Sequence, residues 1–172
     1  LGEKAAKAGI TLSLHAPYYI SMSSTEEEKR DNSVNYILAS ARAVNAMGGD
    51  RIVVHTGSCG KISRSDALDL ALDALELAKD TLTRARKTAV EQGFEHIVFC
   101  PETMGKVNQL GTLEEVLELC LLDERLIPCI DFGHLNARDM GSLKSFADYE
   151  NIFLKIKDKL GTDRLKSFHS PF

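Results

Sequence analysis

A chain of 172 residues can bury one sizeable core, and 44% hydrophobic with 27% charged residues is the balance of a globular protein. No apolar run approaches the ~18 residues that cross a bilayer, and Leu1-Gly2-Glu3-Lys4 lacks the apolar stretch of a secretory signal. A formal net charge of −4 excludes holding nucleic acid by bulk attraction alone, though a local positive face stays open.

A helical pattern is already under way at Leu1, which is not Met, so a natural start upstream is expected. The first β-rich run, Ile10 to Leu14, ends at His15. Ser24 and Glu27 have capping-box spacing and predict a helix whose stripe is Val34, Ile37, Leu38, Ala41 and Val44, stopped by Gly48-Gly49. A second strand, Arg51 to Val54, ends at His55. A long helix from about Ser65 to Gln92 follows, with Leu68, Leu72, Leu75, Ala78 and Leu82 on one face and Gly93 after it. The third strand, His96 to Cys100, ends at Pro101-Glu102, and Thr112 with Glu115 caps a short helix beyond a polar loop. The fourth strand, Leu126 to Ile130, ends at Asp131. A helix near Ser142 to Leu160 is expected to bury Leu143, Phe146, Ile152 or Phe153, and Ile156. A fifth strand, Arg164 to Phe168, ends at His169.

Strands alternating with helices predict parallel pairing, each helix a crossover on the sheet, within one domain over residues 1–172. A closed (β/α)8 TIM barrel needs eight strands and typically about 250 residues. Five strands therefore predict the central part of such a barrel, with an open five-stranded sheet as the alternative. Cys59, Cys100, Cys120 and Cys129 form no Cys-x-x-Cys pair and read as buried, reduced thiols of a cytoplasmic protein.

Every predicted strand delivers a metal ligand or acid–base group at its carboxyl end: His15, His55, Glu102, Asp131 and His169. In parallel α/β folds those ends share one face, where active sites form. His134 follows three residues after Asp131, and only His96 of the five histidines lies at the other end of a strand. A lone histidine in an apolar setting is most simply structural. Four on one face with a Glu and an Asp predict a metal site suited to zinc, manganese or iron. A carboxylate among imidazoles can also bridge two ions, an arrangement that serves phosphoryl displacement.

His15-Ala16-Pro17-Tyr18-Tyr19-Ile20, His55-Thr56-Gly57-Ser58, Pro101-Glu102-Thr103, Asp131-Phe132-Gly133-His134 and Phe168-His169-Ser170 resemble, in order and spacing, the successive motifs of the endonuclease IV family. The resemblance runs from about Ile10 to His169. It implies a trinuclear zinc centre in a (β/α)8 barrel that cuts double-stranded DNA on the 5′ side of an abasic sugar. His15 and His55 would then serve one zinc, and Glu102 would bridge two. Asp131 and His169 would serve the second, His134 the third, and Tyr18 would enter the DNA stack at the lesion. The protein would act as a monomer, away from membranes. The family's Asp-x-His pair and final Glu would lie beyond Phe172, so this segment alone is expected to bind metal incompletely. Ser170-Pro171-Phe172 departs from the family's usual continuation.

Blander readings stand beside these. His55-Thr56-Gly57-Ser58 could be a polar turn, and Tyr18 and Tyr19 could pack under a loop. Lys61, Arg64, Lys106 and Arg138 follow strand ends and could meet phosphates, or be solvated charges. A metal-dependent sugar isomerase or epimerase on the same barrel is the closest rival function, and a non-catalytic barrel fragment the third.

Overall fold

Three parallel strands pair in chain order in the computed structural model, which describes residues 1–58 and 67–171. Strand β1 (Ser13–His15) lies beside β2 (Arg51–Val54), and β2 beside β3 (Val98–Pro101). The register sets Ser13 opposite Arg51 and Arg51 opposite Val98. The arc continues through parallel bridges, Phe99 to Leu126 and Glu102 to Cys129, then Cys129 to His169. Five strand positions therefore follow one another without a reversal of order. A doubly wound sheet reverses at a switch point, whereas a barrel winds in one direction. The described residues thus form a partial barrel.

The helices α1 (Gly2–Lys7), α2 (Glu27–Ala46), α3 (Ala67–Glu91), α4 (Leu113–Cys120), α5 (Phe132–Arg138), α6 (Phe146–Leu160) and α7 (Thr162–Ser167) join these strands. Gly48 and Gly93, at φ +72° and +81°, follow α2 and α3 in the left-handed conformation that ends a helix. The predicted stripe of α2 is buried at Ile37, Leu38, Ala41 and Val44. On α3, Leu82 is fully buried; the side chains of Leu68, Leu72, Leu75 and Ala78, and the predicted start at Ser65, lie outside the described residues.

Strand alternation divides the apolar residues between two clusters. Leu14, Ile52, Val54, Phe99, Leu126 and Ile130 meet the helices, in one cluster with Ile37, Leu82, Leu117 and Ile156. Val53, Cys100, Ile127 and Cys129, with Val98, form a separate cluster on the opposite face. That second face is the interior of the arc. It matters for function because its period of two carries on into the site.

Four local expectations are corrected. Ser24 and Glu27 form no capping box; α2 starts at Glu27 behind Glu26, and the Ser24 hydroxyl accepts from the Glu26 N–H instead. The helix expected from Ser142 begins at Phe146, where Ser145 and Asp148 form the capping box, and Phe146 is 81% exposed rather than buried. The segment expected as a strand from Arg164 to Phe168 is α7 up to Ser167. Gly161, at φ +88°, ends α6 and lets the helix restart, and Leu165, with Phe168 just past the end of α7, packs against the core. Only His169 pairs, accepting from the Ile130 N–H and donating to the Pro128 carbonyl. Pro128 has no N–H with which to extend that ladder toward Ser167, and the Ser167 carbonyl is taken by Arg51. Helix α5 was not expected at all.

The cap of α4 forms as predicted, with the Thr112 hydroxyl accepting from the Glu115 N–H and Glu115 reaching back to the Thr112 N–H. Thr112→Ala is expected to cost about 1 kcal/mol in urea unfolding. An unchanged midpoint would show that the tertiary contacts of α4 carry the helix without its cap.

Candidate metal centre

Inward-facing positions recur every second residue: Arg51, Val53, then His55; Val98, Cys100, then Glu102; Ile127, Cys129, then Asp131. The same parity puts His15 inward, opposite Val53 in the register. His15 and Glu102, 87 positions apart in the sequence, thus reach one rim of the arc.

Glu102 stands at the middle of the site and is 2% exposed. Its Oε2 lies 3.1 Å from His15 Nε2 and 3.2 Å from His55 Nε2, and the two imidazoles meet edge to face at 4.8 Å. Its other oxygen, Oε1, faces His134 Nδ1 at 4.0 Å, and the same nitrogen lies 3.5 Å from Asp131 Oδ2. Two groups able to hold a cation result, His15–His55–Glu102 and Glu102–Asp131–His134, with ligand atoms in each within 4.8 Å of one another. Glu102 is common to both.

Backbone contacts orient the ligand atoms. His15 Nδ1 sits 2.8 Å from the Ala16 carbonyl, which accepts its proton and leaves Nε2 toward Glu102. Asp131 divides its carboxylate: Oδ1 caps α5 by accepting from the His134 N–H at 2.7 Å, and Oδ2 is left for the site. Thr103, fully buried, donates its N–H to the Cys129 carbonyl and accepts from the Asp131 N–H through its hydroxyl. Its carbonyl meets His134 Nδ1 at 2.8 Å, so that nitrogen donates in this arrangement and Nε2 is the ring's lone-pair atom. Nothing in the sequence marked Thr103 beyond its place in Pro101-Glu102-Thr103.

The electrostatics follow from this crowding. Burial pushes the Glu102 carboxyl up, but the hydrogen bonds and charges of His15 and His55 outweigh it and hold the group at about 2. The bond to Glu102 raises His15, against the opposing effect of burial. For His169, burial and then the Arg51 charge lower the pKa. Burial raises the Cys100, Cys120 and Cys129 thiols, which stay protonated and are poor ligands.

The donor set fits a divalent cation. Imidazole nitrogens and carboxylate oxygens lie within 4.8 Å of one another in each group. Bonds of ~2.0–2.1 Å at tetrahedral angles set ligand atoms about 3.3 Å apart, close to the 3.1 and 3.2 Å between Glu102 and its two histidines.

The remaining candidates fall elsewhere. His169 belongs to neither group, although its backbone pairs beside Cys129. Tyr18 is 81% exposed and packs edge to face on Tyr19, not under a loop. His96 bonds Asn45 away from the site. Arg138 is not a free phosphate contact, since its guanidinium is committed to main-chain carbonyls. Cys59, Lys61 and Arg64 lie outside the described residues.

A one-directional parallel arc with inward His, Glu and Asp at its carboxyl rim is a barrel of a definite kind. The chain belongs to the xylose isomerase-like TIM barrel family, whose model matches residues 1–170. It is 31% identical over 160 residues to an uncharacterized protein of Methanocaldococcus jannaschii, covering 93% of this chain and 55% of that one. It is 29% identical to the "Probable endonuclease 4" of Mycoplasma genitalium, covering 92% and 50%. Among solved structures, endonuclease IV of Thermus thermophilus superposes with a TM-score of 0.68 at 22% identity, over 94% of this chain and 53% of that one. D-psicose 3-epimerase of Clostridium cellulolyticum superposes with a TM-score of 0.65 at 16% identity, over 92% and 53%. Both likenesses show the fold alone. The chain spans about half the length of the curated relatives it matches. No described helix is long and apolar enough to cross a membrane.

Proposed function

We propose that the protein is a metal-dependent phosphodiesterase, zinc being the metal, that hydrolyses the DNA backbone 5′ to abasic sites. The observation that carries this reading is the disposition of Glu102, buried, with one oxygen toward His15 and His55 and the other toward His134. His15, His55 and Glu102 would hold one ion, and Glu102, Asp131 and His134 another, with His169 beside them. Ions bound there would supply Lewis acidity and neutralise charge on the phosphate oxygens. Glu102 stays ionised across the physiological range and so keeps its negative charge between the two groups. The Ala16 carbonyl orients the His15 ring, with Nε2 toward Glu102. Tyr18, exposed three residues beyond His15, would stack on an unpaired base or fill the gap at the lesion. The relatives named "Probable endonuclease 4" support DNA as the substrate.

The rival reading is a sugar epimerase, since D-psicose 3-epimerase shares the fold. The test is to offer the full-length protein with zinc an abasic-site duplex and, separately, ketose sugars. Incision of the duplex beside the abasic sugar is expected, with no change in the sugars. Epimerisation without incision would overturn the nuclease reading.

A further inference from the structure

The guanidinium of Arg138, half-buried at the end of α5, gathers one surface loop. Nη1 lies 3.2 Å from the Met104 carbonyl, 2.7 Å from that of Lys106 and 3.0 Å from that of Gln109, and Nη2 lies 3.2 Å from that of Val107. Four carbonyls from one six-residue stretch converge on a single planar fork, which only an arginine offers. The neck of the loop is closed by the Met104 N–H donating to the Gly111 carbonyl. Its far flank is tied to the segment after His55: Leu110 donates to the Gly57 carbonyl, the Thr56 hydroxyl donates to the Leu110 carbonyl, and Ser58 bridges Gln109.

This loop begins at Thr103, directly after Glu102, and it seats His134. The Thr103 carbonyl holds His134 Nδ1, and Gly105 lies so close that a Cβ there would stand 3.3 Å from His134 Cδ2. His134 and Arg138 are four residues apart and share one face of α5. The helix therefore offers a ligand from its first turn and, from its last, the clamp on the loop that packs that ligand.

We propose that Arg138 is a positioning residue for the metal centre: by binding four carbonyls of the loop after Glu102, it fixes the ring of His134 for the second cation group. The inference rests on the metal-centre reading and goes beyond it, because Arg138 belongs to neither cation group and acts through the loop it binds. Its role differs from mere support of the fold in being selective for one of the two groups. Loosening the loop at Arg138 releases His134; the bonds of Leu110 to Gly57 and Thr56, which Arg138 does not touch, keep the segment after His55 in place, and β1 holds His15.

The test is a competitive zinc titration of full-length protein against a chromophoric chelator, without reference to activity. The wild-type protein is expected to show separable equivalents, one abolished by His15→Ala and another by Asp131→Asn. Arg138→Ala should weaken the Asp131-dependent equivalent by about tenfold or more, the scale of an outer-shell change, and leave the His15-dependent one unmoved. Should Arg138→Ala fail to fold, two further variants answer. Arg138→Lys keeps the charge without the fork, and Gly105→Ala presses on His134 from the loop side; both should reproduce the selective loss. Wild-type affinity at both equivalents in these variants, or full rescue by lysine, overturns the positioning role. Equal weakening of both equivalents overturns it as well, by showing a purely structural effect. A wild-type protein that takes up no zinc sinks the metal-centre reading itself, a result distinct from any of these.

Discussion

Glu102→Gln is expected to lower DNA incision by about a thousandfold, the scale on which one preorganised electrostatic contact at a reacting centre acts, while the protein stays folded. The change keeps the shape of the side chain and a hydrogen-bonding capacity toward His15 and His55, so packing is preserved. What it removes is the negative charge between two imidazole groups, and with it an oxygen pair able to serve both sides at once. Zinc content should fall in both groups together, because Glu102 belongs to both. His134→Ala, by contrast, should affect only the group it shares with Asp131. Circular dichroism separates these outcomes from unfolding. Undiminished incision by Glu102→Gln with normal zinc content would remove this residue from the mechanism.

Phe99→Ala is the substitution from which we expect the largest loss of stability, about 3–5 kcal/mol. Phe99 is fully buried on the helix-facing side of β3. Its backbone pairs toward the fourth strand position through bonds to Arg125 and Ile127. Its ring lies 5.7 Å from the Arg86 guanidinium, which in turn caps the carbonyls of Glu95 and Ile97. Deleting the ring would leave a cavity under α3 and take away the surface on which a nearly buried arginine rests. Against a total stability of about 5–15 kcal/mol, typical of such domains, that is a large fraction. The urea midpoint should fall with little change of slope. Phe146→Ala serves as the contrast: at 81% exposed, it should move stability by no more than about 0.5 kcal/mol. A Phe99→Ala protein as stable as Phe146→Ala would mean that the sheet–helix cluster does not hold the arc together.

Much of the architecture was legible because it is local. Alternation of short apolar runs with helical stripes located β1, β2, β3, α2 and α4, and the cap of α4 could be read from Thr112 and Glu115 alone. Parity along the strands also made the site readable. A spacing of two from Val53 to His55, from Cys100 to Glu102 and from Cys129 to Asp131 puts all three polar residues on the face opposite the helix-packed one. Where the signal was ambiguous, it failed. Leu165 and Phe168 fit a helix face as well as a strand edge, and the choice was made by Gly161, Pro128 and the partner available to His169. Phe146 fell on a plausible apolar stripe, yet α6 begins there and turns it to solvent.

By itself the sequence determined which residues could ligate, and that strands in parallel would carry them to one rim. Periodicity is a property of the chain and needs no partner to be read. Tertiary structure alone decided how the two oxygens of Glu102 are shared, that Asp131 spends one oxygen on capping α5, and that Arg138 binds carbonyls rather than phosphate. Those outcomes depend on distances between segments far apart in the chain. A side chain's role is set by which acceptors come within about 3 Å of it, and no spacing along one strand or helix specifies that.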